Sequence, residues 1–351
     1  MVINNTTSDI ASESVRRTKS DRVTIVVPAR LHLGFLDLNG DLGRRYGSFG
    51  ITLDDIYTRL RVEHADSFSA SGPSSARALE FIRELLHRLG CDDSLAVTVE
   101  EAIPEHVGLG SGTQLAMAAG VGAARLLGLE LSARDVAGYL ARGKRSGVGI
   151  GSFEMGGVIL DGGHGDGDKI PPVLARYEFP AAWRILVIFD RRFKGKHGAD
   201  EENTFLNLPP FPAELSAHFC RLLLMVGLPA LAEADLDGFS RAVAEIQCAT
   251  GDFFTTVQGN RIASESVASV LEWLQAEGIV GVGQSSWGPT GFALIGSDAE
   301  AKRITAALVR RFADVDHLDL MICRGRNTGG QIDVIERIES PAERRGLYHR
   351  A

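Results

Sequence analysis

The sequence lacks several features that mark large classes of protein. Its cysteines, Cys91, Cys220, Cys248 and Cys323, form no CxxC pair, which excludes a zinc ribbon and a redox dithiol motif. No apolar run reaches the roughly 18 residues of a membrane-spanning helix. The first twenty residues are rich in Ser, Thr and Asn and contain no apolar signal-peptide core. We therefore expect a disordered tail over residues 1–20 and a cytoplasmic protein without a membrane partner.

Positive charge is also scarce. Lys and Arg number 37 and Asp and Glu number 45, which gives a formal net charge of −8. A nucleic-acid partner is not expected, because binding to phosphate backbones needs a basic surface. The 351 residues exceed what one hydrophobic core supports. We expect two domains, 21–175 and 176–351, divided by irregular chain from Pro171 to Pro180. In the second, strands that alternate with helices, among them Leu236–Gln247, predict an α+β fold.

Glycine, in contrast, is abundant, with 40 residues in clusters. The most informative cluster, Gly108–Thr113, lies between a predicted strand and a predicted buried helix, Leu115–Leu127. Glycine lets the backbone approach a ligand closely, and the free amides at a helix start favour an anion. Ser111 and Thr113 add hydroxyl donors. The loop lacks the lysine of a Walker A motif, and a tight structural turn is the alternative interpretation.

Polar residues also interrupt a strongly alternating strand near the start of the chain. Arg30 and His32 share one face, opposite apolar Ala29, Leu31 and Leu33. They are candidate pocket residues, and a solvent-facing sheet edge is the alternative. Asp37 lies in the following turn, where turn chemistry alone explains an aspartate.

Three further segments carry candidate residues. The charged run from Arg191 to Glu202 follows a predicted buried strand and is either a polyphosphate and metal site or a solvated loop. Asp161 lies near His164 in a glycine-rich stretch, where a turn is the simpler explanation. The glycine-bounded loop Gln284–Thr290 contains Trp287, which either stacks on a ring substrate or covers the core.

The order of these motifs resembles the GHMP kinase superfamily. The matching segments are Pro28–Phe35, Pro104–Thr113 and Gly283–Gly291, and the resemblance runs from about Arg22 to Ile338. It implies a two-domain α+β fold, with an N-terminal βα domain, a ferredoxin-like C-terminal domain and an anion-binding cleft between them. Kinases of this superfamily carry an aspartate in a segment that matches Gly149 or Gly151 here, so the kinase base is missing.

The longer strings resemble a non-kinase branch, the β-ribofuranosylaminobenzene 5′-phosphate synthase family. These strings are Ala29–Asp37, Gly108–Gln114, Gly149–Phe153, Gly156–Gly163 and Gln284–Thr290. The family implies condensation of phosphoribosyl pyrophosphate with 4-aminobenzoate or 4-hydroxybenzoate. CO2 and pyrophosphate are released and a carbon–carbon bond forms, in a step of tetrahydromethanopterin biosynthesis. The resemblance also implies Mg²⁺ as cofactor, no use of ATP, and a homodimer.

This chemistry assigns expected roles to the candidate residues. Arg30, His32 and Ser286 are the catalytic candidates, with Arg30 a cation for a carboxylate or phosphate and His32 a proton donor or acceptor near the ring. The remaining candidates are a phosphate or pyrophosphate set, Gly108, Gly110, Ser111, Gly112, Thr113, Gln114, Arg191, Lys194 and Lys196; a ring-cleft set, Asp37, Ser285 and Trp287; and possible metal ligands, Glu201 and Asp161.

Two other functions fit the same motifs. One is an ATP-dependent small-molecule kinase, which shares the fold and the glycine loop. The other is a non-catalytic protein that binds a phosphorylated metabolite. No motif distinguishes an amino from a hydroxyl group on the ring substrate.

Overall fold

Two β-sheets and the helices packed on them form the fold of the computed structural model, which describes residues 20–165, 167, 169–193, 208–286 and 288–336. The predicted tail, residues 1–20, lies outside these ranges except for Ser20, where the first strand begins. The larger sheet contains seven strands: β1 Ser20–Phe35, β2 Ser48–His64, β3 Ser69–Ser71, β4 Leu95–Glu101, β5 Val158–Asp161, β6 Val173–Tyr177 and β11 Gln331–Glu336.

The smaller sheet contains four strands, in the order β10-β7-β9-β8. Their bounds are β7 Arg184–Asp190, β8 Val282–Gln284, β9 Gly291–Ile295 and β10 Leu318–Cys323. Neighbouring strands of this sheet are antiparallel. As a result, the C-terminal end of β7 and the turn from β8 to β9 lie at the same end of this sheet. The turn contacts the glycine loop Gly108–Thr113.

The helices pack against these sheets. They are α1 Ser75–Leu89, α2 Ser111–Leu126, α3 Ala133–Tyr139, α4 Val148–Glu154, α5 Ala213–Leu222, α6 Leu228–Ala232, α7 Leu236–Gln258, α8 Glu265–Ala276 and α9 Asp298–Arg311, and a π-helical turn, Leu223–Gly227, joins α5 to α6. Helix α2 is buried on nearly every side, as its alanine-rich sequence predicts, and it packs against β1 and β2.

One apolar cluster joins the two sheets. It includes Leu31 and Phe49 from the larger sheet, Val187 and Phe292 from the smaller one, and Phe239 from α7, all fully buried. A second cluster lies between the larger sheet and α1 to α4, and a third lies between the smaller sheet and helices α8 and α9. The contact between the sheets is therefore a close-packed interior, which fixes the loops at its rim.

Two strands differ from the sequence expectations. The chain from Pro171 to Pro180 was expected to be irregular, but Val173–Tyr177 forms β6 and pairs with β5. Strand β11 follows the smaller sheet in the chain yet pairs with β1 in the larger sheet. The division of the chain into 21–175 and 176–351 stays a prediction.

The helical run Ala213–Ala232 is the one described helix that is long and apolar enough to cross a membrane. Its apolar residues Leu224, Met225 and Val226 are exposed. Length and composition alone are weak evidence for a membrane span, because core helices of soluble proteins meet the same criteria. The absence of a membrane partner stays a prediction.

Candidate active site

The glycine loop before α2 presents an unpaired helix start. Gly108 and Gly110 have φ angles of +87° and +78°, which glycine adopts without strain. Gly110 caps α2, whose first residues are Ser111, Gly112 and Thr113. Among the described residues, none accepts a hydrogen bond from the amides of these three. The helix dipole and the free amides together make this turn a site for an anion.

This loop interlocks with the loop between β8 and β9. The Ser285 hydroxyl donates to the Gly108 carbonyl at 2.8 Å, although the two residues lie 177 positions apart. A Cβ on Gly108 would lie 2.2 Å from the Ser285 carbonyl oxygen, and a Cβ on Gly288 would lie 2.0 Å from the Val107 carbonyl oxygen. The two glycine motifs of the sequence therefore meet backbone to backbone, and this approach requires glycine on both sides.

Arg30 lies against the same loop, as its position on the β1 face allows. Its Nη1 donates to the Gly108 carbonyl at 2.6 Å, and its amide donates to the Leu109 carbonyl at 3.2 Å. A Cβ on Gly110 would lie 3.2 Å from the guanidinium carbon. The register between β1 and β2 shifts on both sides of the segment from Arg30 to His32. Such irregularities redirect side chains, and they occur often beside active sites.

His32 is buried and neutral. It is 3% exposed, and its Nε2 atom has no hydrogen-bond partner among the described residues. Burial lowers the pKa of the imidazole to about 3, and the positive charge of Arg30 acts in the same direction. Its backbone amide donates to the Ser285 hydroxyl at 3.0 Å, which ties it to the interlocked loops. At neutral pH His32 is therefore an uncharged group.

A cavity of about 40 Å³ lies between the end of β1, helix α7 and the β8–β9 loop. Its lining includes His32, Phe35, Thr250, Phe254 and Ser286. Ser286 has a φ angle of +56°, an uncommon conformation that is found often at functional sites. Phe35 and Phe254 line it together with polar side chains and Arg261, so the cavity suits the edge of a ring that carries a polar group.

Two glutamines hold this cavity together. The Gln247 side chain donates to the Leu33 carbonyl at 2.6 Å and accepts from the Gln284 amide at 2.8 Å. The Gln284 side chain accepts from the Ala263 amide and donates to the Ser286 carbonyl. Sequence reasoning gave Gln247 no role, and it missed Thr250 and Phe254 because it ended the helix at Gln247.

Two further arginines, also missed from the sequence, lie against the Phe81 ring, and Arg77 also reaches the start of α2. The Arg77 Nη2 atom lies 2.8 Å from the position that a Cβ on Gly112 would occupy. The Arg142 guanidinium lies 4.7 Å from the centre of the Phe81 ring, and its Nε is buried without a partner among the described residues. Burial lowers the pKa of Arg142, and the charge of Arg77 lowers it further. The charge of Glu84 acts in the opposite direction, as would that of an anion bound beside Arg142.

Three other sequence candidates, Gln114, Asp37 and Arg191, bond to other groups of the protein. The Gln114 side chain donates to the Gly149 carbonyl at 2.7 Å and so links α2 to α4. The Asp37 carboxylate accepts from the amides of Asn39 and Gly40 and from the Ser216 hydroxyl, and it does not line the cavity. Arg191 pairs with Asp319 and with the Asp316 carbonyl, at the end of β7. Their proposed roles stay predictions.

Asp161 holds the start of helix α4. Its carboxylate accepts from the Ser48 hydroxyl at 2.6 Å, from the Gly163 amide at 2.8 Å and from the Gly147 amide at 2.9 Å. Burial raises its pKa, although these hydrogen bonds oppose the shift. Both oxygens are thus occupied by donors. Within the described ranges, no group of three or more His, Cys, Asp or Glu residues could hold a metal ion. Lys194, Lys196, Glu201 and Trp287 lie outside the described residues.

Comparison with known proteins identifies both parts of the chain. The model of the GHMP kinases N terminal domain matches residues 76–157, and that of the GHMP kinases C terminal domain matches residues 228–314. The chain is 31% identical to the β-ribofuranosylphenol 5′-phosphate synthase of Methanothermobacter thermautotrophicus, over 87% of this chain and 97% of that protein. It is 32% identical to the synthase of the same name from Archaeoglobus fulgidus, over 88% of this chain and 98% of that protein.

Solved structures of the same fold are more distant in sequence. Homoserine kinase from Cytophaga hutchinsonii superposes with a TM-score of 0.60 at 16% identity, over 93% of this chain and all of that one. Mevalonate diphosphate decarboxylase from Staphylococcus aureus superposes with a TM-score of 0.63 at 14% identity, over 89% of this chain and 98% of that one. These likenesses confirm the predicted two-domain α+β fold.

Proposed function

The chain is an enzyme of the β-ribofuranosylphenol 5′-phosphate synthase family, a non-kinase branch of the GHMP kinase superfamily, and we propose that it condenses phosphoribosyl pyrophosphate with 4-hydroxybenzoate or 4-aminobenzoate. The products are CO2, pyrophosphate and a ring joined to the sugar through carbon, in a step of tetrahydromethanopterin biosynthesis. The observation that carries this proposal is that the free α2 amides and Arg30 meet at one glycine loop, and that hydrogen bonds through Ser285 connect this loop to His32 in the wall of a cavity with two phenylalanines.

The start of α2 supports a role in binding the leaving group. Pyrophosphate departs as an anion, and the amides of Ser111, Gly112 and Thr113 point their partial positive charge toward the place where that anion would lie. Arg30 adds a full charge beside Gly110. Because these donors are fixed by the interlocked loops, they need little reorganisation as the negative charge develops.

Departure of pyrophosphate leaves an electron-poor anomeric carbon. The ring carbon that bears the carboxylate attacks this centre, because a para hydroxyl or amino group makes that carbon electron-rich. Loss of CO2 then restores the aromatic ring. The enzyme has to hold the two reactants in line, which converts a bimolecular encounter into a step within one complex. The cavity with Phe35 and Phe254 in its wall, connected to the glycine loop through Ser285, is suited to that task.

The packing around α4 argues against the kinase alternative. The kinase resemblance expects an aspartate at a position such as Gly151. Within helix α4, a Cβ on Gly151 would lie 2.7 Å from the Ile159 Cγ2 atom, and a Cβ on Gly149 would lie 3.3 Å from the Thr113 Cγ2 atom. Both positions are buried, and burial of an unpaired charge is costly. Neither position carries the carboxylate that a kinase of this type would use as its base.

The proposal extends to the ring acid, the metal and the assembly. The two relatives are named for a phenol product, which favours 4-hydroxybenzoate over 4-aminobenzoate. Mg²⁺ would accompany the pyrophosphate of the donor and balance part of its negative charge. ATP-independent activity, a homodimer and a cytoplasmic location complete the proposal.

The test is product analysis with the full-length protein. Mg²⁺, phosphoribosyl pyrophosphate and each ring acid are incubated separately without ATP, and products are identified by mass spectrometry. We expect a ribosylated ring phosphate without a carboxyl group. Phosphorylation of an acceptor in the presence of ATP alone would support a kinase instead. Binding of both substrates without any product would support the non-catalytic alternative.

A further inference from the structure

Two buried polar atoms in the cavity wall have no partner among the described residues. They are Nε2 of His32 and Oγ1 of Thr250, whose residues are 3% and 9% exposed. A helical threonine commonly bonds the carbonyl four residues earlier, but Thr250 does not. An unpaired buried polar group is costly, and both residues line the same cavity, so a ligand that pairs with the two atoms there would offset this cost.

The cavity matches only a small part of such a ligand. Its volume is about 40 Å³. A single water needs roughly 10–15 Å³ in such a space, so the cavity admits a substituent and one edge of a ring. The His32 and Phe35 rings lie 4.5 Å apart, and Phe254 belongs to the same apolar cluster. The side chains of Gln247 and Gln284 are already engaged in holding the backbone.

The position of the cavity relative to the phosphate loop fixes which part of the ring enters it. The His32 amide donates to the Ser285 hydroxyl, and this hydroxyl donates to the Gly108 carbonyl, so two hydrogen bonds connect the cavity wall to the glycine loop. In the proposed reaction the carboxylate-bearing carbon must face the sugar held at that loop. The para substituent, at the opposite end of the ring, therefore points away from the phosphates and toward the cavity.

Building on the proposed function, we propose that this cavity receives the para hydroxyl or amino group of the ring acid, paired with His32 Nε2 and Thr250 Oγ1. Thr250 is then a specificity-determining residue of the reaction. The group donates its hydrogen to Nε2, and the Thr250 hydroxyl supplies the second hydrogen bond. A ring acid without such a group leaves both protein atoms unpaired and binds more weakly for that reason.

This arrangement also assists the chemistry. As the ring carbon attacks, its electron pair forms the carbon–carbon bond, and pyrophosphate leaves with the pair of the broken carbon–oxygen bond. Positive charge develops on the para heteroatom, which becomes a stronger hydrogen-bond donor to neutral His32. The carboxylate then leaves as CO2, and its bonding pair restores the aromatic ring. No proton has to be removed, which suits an imidazole that is a weak base.

The test compares ring acids with and without the para donor. The KM of the faster substrate is measured together with the inhibition constants of benzoate and 4-methylbenzoate, for the wild type, Thr250→Val and Thr250→Ser. Thr256→Val is the matched control, because Thr256 lies exposed on the same helix. We expect Thr250→Val to raise the KM about three- to tenfold, the worth of one neutral hydrogen bond, and to leave the benzoate constant within about twofold. Thr250→Ser and Thr256→Val should resemble the wild type.

Equal changes in the substrate KM and the benzoate constant would show that Thr250 is merely structural, and no change in either would overturn the proposal. The wild type alone gives a second test if Thr250→Val does not fold. Benzoate and 4-methylbenzoate should bind at least about tenfold more weakly than the hydroxyl or amino acid, because they leave two buried atoms unpaired. If benzoate and 4-methylbenzoate bind as tightly as the hydroxyl or amino acid and CO2 release is normal, this inference is rejected and the proposed function remains intact. Absence of CO2 release with every acid would reject the proposed function itself.

Discussion

Substitution of Gly108 by alanine tests whether the interlocked loops build the site. Its φ of +87° strains any residue with a Cβ, at a cost of about 1–2 kcal/mol. The added Cβ would also lie 2.2 Å from the Ser285 carbonyl oxygen, a backbone atom that has to move. Relief of that overlap displaces the loop by roughly 1 Å, and a displacement of that size can lower activity about a hundredfold.

Gly278→Ala is the matched control for this experiment. Gly278 has a φ of +91°, but a Cβ there would meet nothing within 4 Å. Gly278→Ala should lose about the same 1–2 kcal/mol of stability through conformational strain and keep full activity. We expect Gly108→Ala to show a larger loss in thermal stability and about a hundredfold lower kcat/KM in the CO2-release assay. If the two variants behave alike in both measurements, the loops do not position the site and the reasoning fails.

Three other predictions follow from the charges near the site. Arg30→Met removes a charge-assisted donor and should lower kcat/KM for phosphoribosyl pyrophosphate by about ten- to hundredfold in steady-state assays, and an unchanged value would contradict its placement at the loop. Arg142→Met should raise the KM of the phosphorylated donor and leave that of the ring acid unaltered; equal effects on both would indicate a purely structural role. His32 is neutral in the fold down to pH about 3, whereas the unfolded chain takes up its proton below 6.5. Its contribution to stability is therefore full above pH 6.5 and is lost as the pH falls toward 3, by up to about 1.4 kcal/mol per unit. In urea titrations at pH 7 and pH 5, His32→Leu should lose less stability than the wild type, and an equal loss would contradict this assignment.

The local features of the site could be predicted from the sequence. A glycine run before a buried helix specifies a turn with free amides whatever the tertiary packing around it. The alternation of polar and apolar residues correctly placed Arg30 and His32 on one strand face. The apolar spacing of Leu79, Ile82, Leu86 and Leu89 and the following Gly90 predict a helix over Ser75–Leu89, and α1 has these bounds because both signals are local.

The assembly of these features could not be predicted. Contact between Gly108 and Ser285 depends on how the two sheets pack, and no local pattern reports it. Thr250 and Phe254 were missed for another reason. Helix propensity is weak after Gln247, where the chain contains threonine, glycine and two phenylalanines. The helix α7 nevertheless continues to Gln258, because Thr250 and Phe254 are buried against the site. Tertiary packing overrode propensity at the segment that completes the cavity.

The central claim is most directly tested by the stoichiometry of the reaction. The full-length protein is supplied with Mg²⁺, phosphoribosyl pyrophosphate and carboxyl-labelled 4-hydroxybenzoate or 4-aminobenzoate, with ATP omitted, and labelled CO2 and pyrophosphate are counted. We predict equal amounts of the two products with at least one acid. Pyrophosphate without CO2, or neither product from a folded protein, would contradict the proposed reaction.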